Sequence, residues 1–291
     1  MSARGDVRAA EAAQVALLTG TGAAGVLGAA LAHEGARLEQ CTVHSVHHRP
    51  GAGVSVGYTA VVLEADGRRL TEYLCATTAR LSRTNVPGLI PVLASDGVGP
   101  TIHVWRHPAD PELPALVVAC TPSLLSARIG AKVKATMVAY RPTRRAVVRV
   151  TWPDGSTAFA KVLRPPQAAA LAQRHRMLSL SGVPAPQVLR EDVDGLVMLS
   201  TGQGTSLSGL LAQGMEPTQA TRVFNALAAT LDALPADALP LPRHPAWSER
   251  ARHYAHAAAT VLPEHASRAR AVALGVEELL AGSDPGPGVP T

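Results

Sequence analysis

The sequence predicts an α+β protein: helices and a first antiparallel sheet, then a second sheet around one helix, then helices alone. Three observations predict it. The stretches Arg49 to Leu74 and Arg141 to Lys161 repeat one order, Arg-Pro, strand, Asp-Gly, strand, which is the punctuation of antiparallel hairpins. From Ser206 onward the apolar residues follow helical spacing only. Hydrophobic residues make up 47% of the 291 and charged residues 17%, so most of the chain can bury a core and is not disordered.

The first element is the Ala-rich segment Ala9 to Leu18, a better helix than buried strand. Gly20-Thr21-Gly22-Ala23-Ala24-Gly25 follows and spells G-x-G-x-x-G, the phosphate turn of dinucleotide-binding units. That fingerprint needs a strand before the glycines and an acid about twenty residues on, at the end of a second strand. The candidate second strand, Leu38 to Val46, runs into His47 and His48 instead. Two short helices joined by a glycine turn are therefore predicted. Val15 to Ala32 is uncharged over a length that could nearly span a bilayer, and Ala30-Leu31-Ala32 has the small-x-small pattern of a signal cleavage site. Four glycines and two threonines dilute the run, and Asp6 and Glu11 interrupt its basic flank. A soluble, cytoplasmic protein is expected.

Strands come next. Cys41 to His48 alternates, and the turn through Arg49, Pro50 and Gly51 leads into the strand Val54 to Glu64. Ala65-Asp66-Gly67-Arg68 turns into the return strand Arg69 to Thr77. A short apolar stretch at Leu89 to Leu93 and a strand at Thr101 to Arg106 precede the breaker His107-Pro108-Ala109-Asp110-Pro111, and Pro122 opens a helix through Ile129. The second half repeats the pattern. Strands are predicted at Lys132 to Ala139, Ala146 to Trp152 and Thr157 to Leu163, a helix at Gln167 to Ser179, and strands at Gln187 to Glu191 and Leu196 to Leu199. In the first copy of the repeat, Tyr73 falls near the place of Lys161. Thr201-Gly202-Gln203-Gly204 links to helices at Leu207 to Gln213, Pro217 to Leu234, Pro245 to Val261 and Glu264 to Leu280.

Charge and side-chain chemistry exclude several functions. Lys+Arg 27 against Asp+Glu 22 gives +5, spread without a basic stripe, and aromatics are only 3%, so nucleic-acid binding is not expected. Cys41, Cys75 and Cys120 form no C-x-x-C pair, which argues against a disulfide framework or thiolate zinc site. His44, His47 and His48, and His253 with His256, have metal-compatible spacing but no further ligand, so surface or packed histidines are expected. Ser123, Ser126 and Ser181 stand outside any G-x-S-x-G frame.

Four phrases then carry a resemblance: YRPTRRAVVRV (Tyr140 to Val150), FAKVLRP (Phe159 to Pro165), SGVPAPQVL (Ser181 to Leu189) and DGLVMLSTGQG (Asp194 to Gly204). In this order they resemble the aminoglycoside phosphotransferase and choline-kinase-like family of small-molecule kinases. HPADPEL (His107 to Leu113) is similar to the cap domain preceding the kinase lobes in some actinobacterial, maltokinase-like members. The resemblance implies a protein-kinase-like bilobed fold, with a cap domain at 1–125, an antiparallel-sheet N-lobe at 126–201 and a partial helical C-lobe at 202–291. It implies ATP as cofactor, with Lys161 as the cation that reaches the nucleotide phosphates. Met198, Leu199, Ser200 and Thr201 would form the hinge segment that hydrogen-bonds adenine, with Met198 bordering the pocket. The acceptor would be a small molecule whose identity the sequence does not reveal; neither nucleic acid nor membrane is an expected partner.

Two departures bear on activity. The helix after Lys161 holds no Glu or Asp to orient it, and His175 lies near the expected place. His-Gly-Asp, with an Asn five residues after the Asp, does not occur. Asp284 has no Asn partner, and Gly288-Val289-Pro290-Thr291 is similar to the loop that precedes His-Gly-Asp in relatives. The expectation is an N-terminal part of an ATP-dependent kinase, inactive by itself, with Mg²⁺ held only by residues beyond Thr291. The alternative is a pseudokinase-like module that binds a nucleotide or a protein partner. That partner would cover the helical face carrying Val261, Val272, Leu274, Val276, Leu279 and Leu280.

Overall fold

The computed structural model describes residues 3–48, 51–93, 99–202, 204–235 and 245–282. Arg49 and Pro50 of the first predicted turn, Gln203 of the link, Asp284 and Gly288 to Thr291 lie outside the described residues. The described residues are α+β with two antiparallel sheets, each of five strands.

Helices α1 (Ala3–Thr19) and α2 (Gly22–Ala32) meet at a 72° bend. The glycines serve that corner: a Cβ on Gly20 would stand 2.7 Å from the Ala16 carbonyl oxygen, and one on Gly22 would stand 2.5 Å from Leu17 Cδ1. A helix, not a strand, precedes the glycine motif, so it is not a dinucleotide turn. Leu27, Ala30 and Leu31 of α2 are buried in the first core. Among the described residues no single helix is long and apolar enough to cross a membrane.

That core lies against the first sheet, built from β1 (Arg37–His48), β2 (Val54–Leu63), β3 (Arg69–Thr77), β4 (Ile90–Val92) and β5 (Ile102–Arg106) in the order β1-β2-β3-β5-β4. Val54, Val56, Tyr58, Ala60 and Val62 alternate along β2 and are buried in the same cluster. The Tyr58 hydroxyl, buried with them, donates to the Leu18 carbonyl at 2.7 Å and ties α1 to the sheet.

Two short helices follow, α3 (Leu116–Cys120) and α4 (Pro122–Ile129), the second opened by Pro122 and closed by Gly130 at φ 77°. The second sheet comprises β6 (Lys134–Arg141), β7 (Arg145–Thr151), β8 (Thr157–Leu163), β9 (Val188–Glu191) and β10 (Leu196–Ser200). Its order, β6-β7-β8-β10-β9, repeats that of the first sheet. The repeated hairpins close alike, with Leu63 opposite Arg69 and Thr151 opposite Thr157. Tyr73 and Lys161 therefore stand at the same position of their strands. The two sheets differ in one insertion: α5 (Pro165–Leu180) lies between the third and fourth strands of the second sheet, whereas the first has only a loop there.

Each face of the second sheet has its own cover. Ala146, Val148, Val150, Ala158, Ala160 and Val162 pack with Leu116, Ala119 and Leu125 of α3 and α4. On the other face, Val197 and Leu199 of β10 pack with Ala168 and Ala172 of α5.

The chain divides into two compact units, 1–173 with 187–201, and 174–186 with 202–291. The second holds α6 (Leu207–Gln213), α7 (Pro217–Asp232), α8 (Ala251–Val261) and α9 (Ala266–Ala281). Within it, Ala255 and Ala273 are buried and Arg252 forms a bidentate ion pair with Glu277. Pro165 enters α5 in its first turn, two residues before the predicted start, because a proline lacks only an N–H that the first turn leaves unused. Instead of one helix from Pro245, a 3₁₀ turn at Ser248–Arg250 precedes α8.

Candidate functional site

Lys161 lies in the middle of β8, with Val147 of β7 on one side and Val197 of β10 on the other. Directly paired residues share a face, so Lys161 stands with Arg145, Val147, Arg149, Phe159, Val197 and Leu199. Arg145 and Arg149 are exposed, and Lys161 is half-buried among apolar neighbours. No hydrogen bond or ion pair to Lys161 exists among the described residues. Burial, and then the charge of Arg145, hold its ammonium below the usual lysine range. The arrangement is a cationic face with a desolvated, unpaired amine at its centre, which suits a polyanion better than another protein side chain.

The residues expected to form a hinge divide between the two faces. Leu199 sits opposite Phe159, on the Lys161 face, and is buried against α5. Met198 corrects the expectation that it borders the same pocket: it sits opposite Ala160, and its side chain is buried in the α3/α4 core on the far face. The cause is strand alternation, which turns neighbours in β10 to opposite sides. Ser200 and Thr201 are tied locally. The Ser200 N–H donates to the Gln187 carbonyl at 2.9 Å, its Oγ accepts from the Gln187 N–H at 2.8 Å, and Thr201 Oγ1 donates to the Thr157 carbonyl at 2.8 Å. His175 Nδ1 donates to the Pro186 carbonyl at 2.8 Å, which fixes the ring on that loop.

A second constellation was missed by sequence reasoning, although the phrase that holds it, His107 to Leu113, was singled out. Asp110 is only 4% exposed and accepts three hydrogen bonds. Its Oδ2 takes the Tyr140 hydroxyl and the Thr143 N–H, both at 2.7 Å, and its Oδ1 takes the Glu112 N–H at 2.9 Å. Burial raises the Asp110 carboxyl above its ordinary value even against those donors. Glu112, 2% exposed, accepts from the N–H and hydroxyl of Ser82 and pairs with Arg164 Nε at 2.9 Å. Tyr140 also receives the Trp105 Nε1–H at 3.3 Å, and His107 lies against it with ring centroids 4.9 Å apart. The acids thus join the first sheet to the β6–β7 hairpin. The only cue in the sequence was two acids between prolines, a pattern that a surface turn shares.

Two histidines of the first cluster have different partners. His44 Nδ1 lies 3.1 Å from the Tyr73 hydroxyl, and His48 approaches Glu11 at 3.7 Å. Among the described residues no group of three or more His, Cys, Asp or Glu side chains could hold a metal ion. No protein-family model and no curated protein matches the chain.

Proposed function

We propose that the chain is a small-molecule-kinase-like protein that binds ATP on the Lys161 face of the second sheet, in the manner of the aminoglycoside phosphotransferase family. The observation that carries this reading is the unpaired Lys161 at the centre of a β6-β7-β8-β10-β9 sheet, with α5 inserted after its strand and a helical unit after β10. The residues present fit a nucleoside triphosphate: Lys161 and Arg145 supply positive charge, and the partly exposed Phe159 adds apolar surface on the same face. Lys161 would neutralise phosphate charge, and the backbone at Thr201 would meet the base, the Ser200 N–H being already bonded to the Gln187 carbonyl. Nothing in α5 replaces the orienting acid, so binding rather than turnover is the activity assigned to these residues.

A second reading, a pseudokinase-like nucleotide- or partner-binding module, is favoured by the helical unit. Phe224 is 70% exposed, Val272 61% and Leu279 77%. Val272 and Leu279, seven residues apart on α9, and Phe224 on α7 are the exposed apolar side chains that a protein partner would cover. Under both readings the same experiment applies. ATP, and not NAD, should raise the thermal midpoint, and Lys161→Ala should abolish the rise. Equal stabilisation of the wild type and Lys161→Ala would contradict the assignment.

A further inference from the structure

The β6–β7 turn carries arginines that the nucleotide reading does not use. Arg141, Pro142, Thr143 and Arg144 line a partly open cavity of about 170 Å³ together with His47, Ser55, Arg80 and Arg164. Lys161 and Arg145 do not line it. At about 30 Å³ per water, the space holds a hydrated small ion and is well below the roughly 300 Å³ at which pockets for drug-sized ligands begin.

Its walls are basic. Among the described residues no carboxylate lines the cavity. Arg164 is neutralised from behind by Glu112, 2.9 Å away. Arg80 and Arg141 have no hydrogen bond or ion pair among the described residues, and Arg141 Nε is buried without an acceptor, as is His47 Nε2. The buried Arg141 Nε–H lacks the acceptor such a donor ordinarily has, and the exposed Arg80 adds a second uncompensated charge to the lining, so an anion of about two charges suits the cavity.

Backbone geometry holds these groups in place. Thr143, 4% exposed, is held at φ 61°, an unusual conformation for a β-branched residue. Two contacts keep it there: its N–H donates to Asp110, and its carbonyl accepts from Arg164 Nε at 3.1 Å. On the opposite wall Gly53, at φ 80°, lies so near Ala79 that a Cβ would come within 2.8 Å of its backbone.

We propose that this cavity binds a phosphate group, either free phosphate or the phosphoryl end of a small monoester, with Arg141 and Arg80 as its principal donors. A phosphate near neutral pH supplies the two charges and several acceptor oxygens, and guanidinium forks match its geometry. His47 reports on occupancy. Burial, and then the charge of Arg141, hold its imidazole below the usual range, and an anion between the two would change the ring's environment.

The test is a thermal-shift titration of the full chain with inorganic phosphate, phenyl phosphate and acetate, at ionic strength held constant with chloride. Inorganic phosphate or phenyl phosphate at about ten times its dissociation constant should raise the midpoint by about 2–4 °C in the wild type, in the surface control Lys134→Gln and in Lys161→Ala. Arg141→Gln and the exposed Arg80→Gln should each lose most of that rise. A larger rise with phenyl phosphate assigns a monoester, and a larger rise with inorganic phosphate assigns the free ion. In the wild type, the His47 ring resonances, identified with His47→Gln, should move on addition of the same anion. Four results would overturn the proposal: no rise in the wild type, a rise kept in both arginine variants, a rise matched by acetate, or one abolished by Lys161→Ala. The last would leave the nucleotide reading standing while removing this one.

Discussion

Asp110 shows what a single buried carboxylate does in this chain. Both of its oxygens accept, from Tyr140, Thr143 and the Glu112 N–H. Replacement by Asn removes the desolvated charge but turns an amide NH₂ toward at least one donor. Asp110→Asn should therefore lose about 1–3 kcal/mol in a urea melt; an unchanged midpoint would show that the acid is not needed to hold the hairpin. Asp192 titrates in the opposite direction. Burial works against its charge, but hydrogen bonds from Arg190 and Arg128 outweigh it and hold the carboxyl below the ordinary range. On unfolding the group returns to about 3.9, so its stabilisation is complete above that pH and is lost as pH falls through the lower folded value. Between about pH 4 and pH 2 the wild type should lose thermal midpoint more steeply than Asp192→Asn. Parallel curves would show that this pairing adds nothing.

The elements were largely legible because turn chemistry is local. The glycine corner before α2, the Asp-Gly hairpins and Pro122 at the head of α4 each follow from residues within one turn of the event. Register and facing were less legible. The sequence does not show which neighbour in β10 borders a pocket beside Lys161; the pairing of β10 with β8 gives that side to Leu199 and the opposite one to Met198. Asp110 and Glu112 were opaque for a different reason: their partners Thr143 and Arg164 lie 33 and 52 residues away, and the sequence near the acids does not mark them. Gly195 tests the element scale. At φ 100° it closes the β9–β10 turn, and a Cβ there would collide with the Leu163 carbonyl. Gly195→Ala should cost about 2 kcal/mol or more through backbone strain beside β8, measured by chemical denaturation. A neutral effect would mean that the turn can shift without disturbing the strand that carries Lys161.

At the scale of the molecule, the first unit repeats one sheet order and uses the two copies differently. The position held by Lys161 in the second sheet is held in the first by Tyr73, whose hydroxyl is engaged by His44 and Ser45. One sheet is thus occupied with its own contacts while the other keeps an unpaired cation. The chain has three lysines, Lys132, Lys134 and Lys161, so their reactivity can be followed one by one. With its ammonium held below the usual range, Lys161 should reach half its maximal acylation rate at a lower pH than a free lysine side chain does. The most direct measurement is the acylation rate of each lysine, followed by mass spectrometry, with and without saturating ATP. The nucleotide reading predicts that ATP, and not NAD, slows labelling at Lys161 at least tenfold and leaves Lys132 and Lys134 unchanged. An unaltered Lys161 rate under saturating ATP would contradict it.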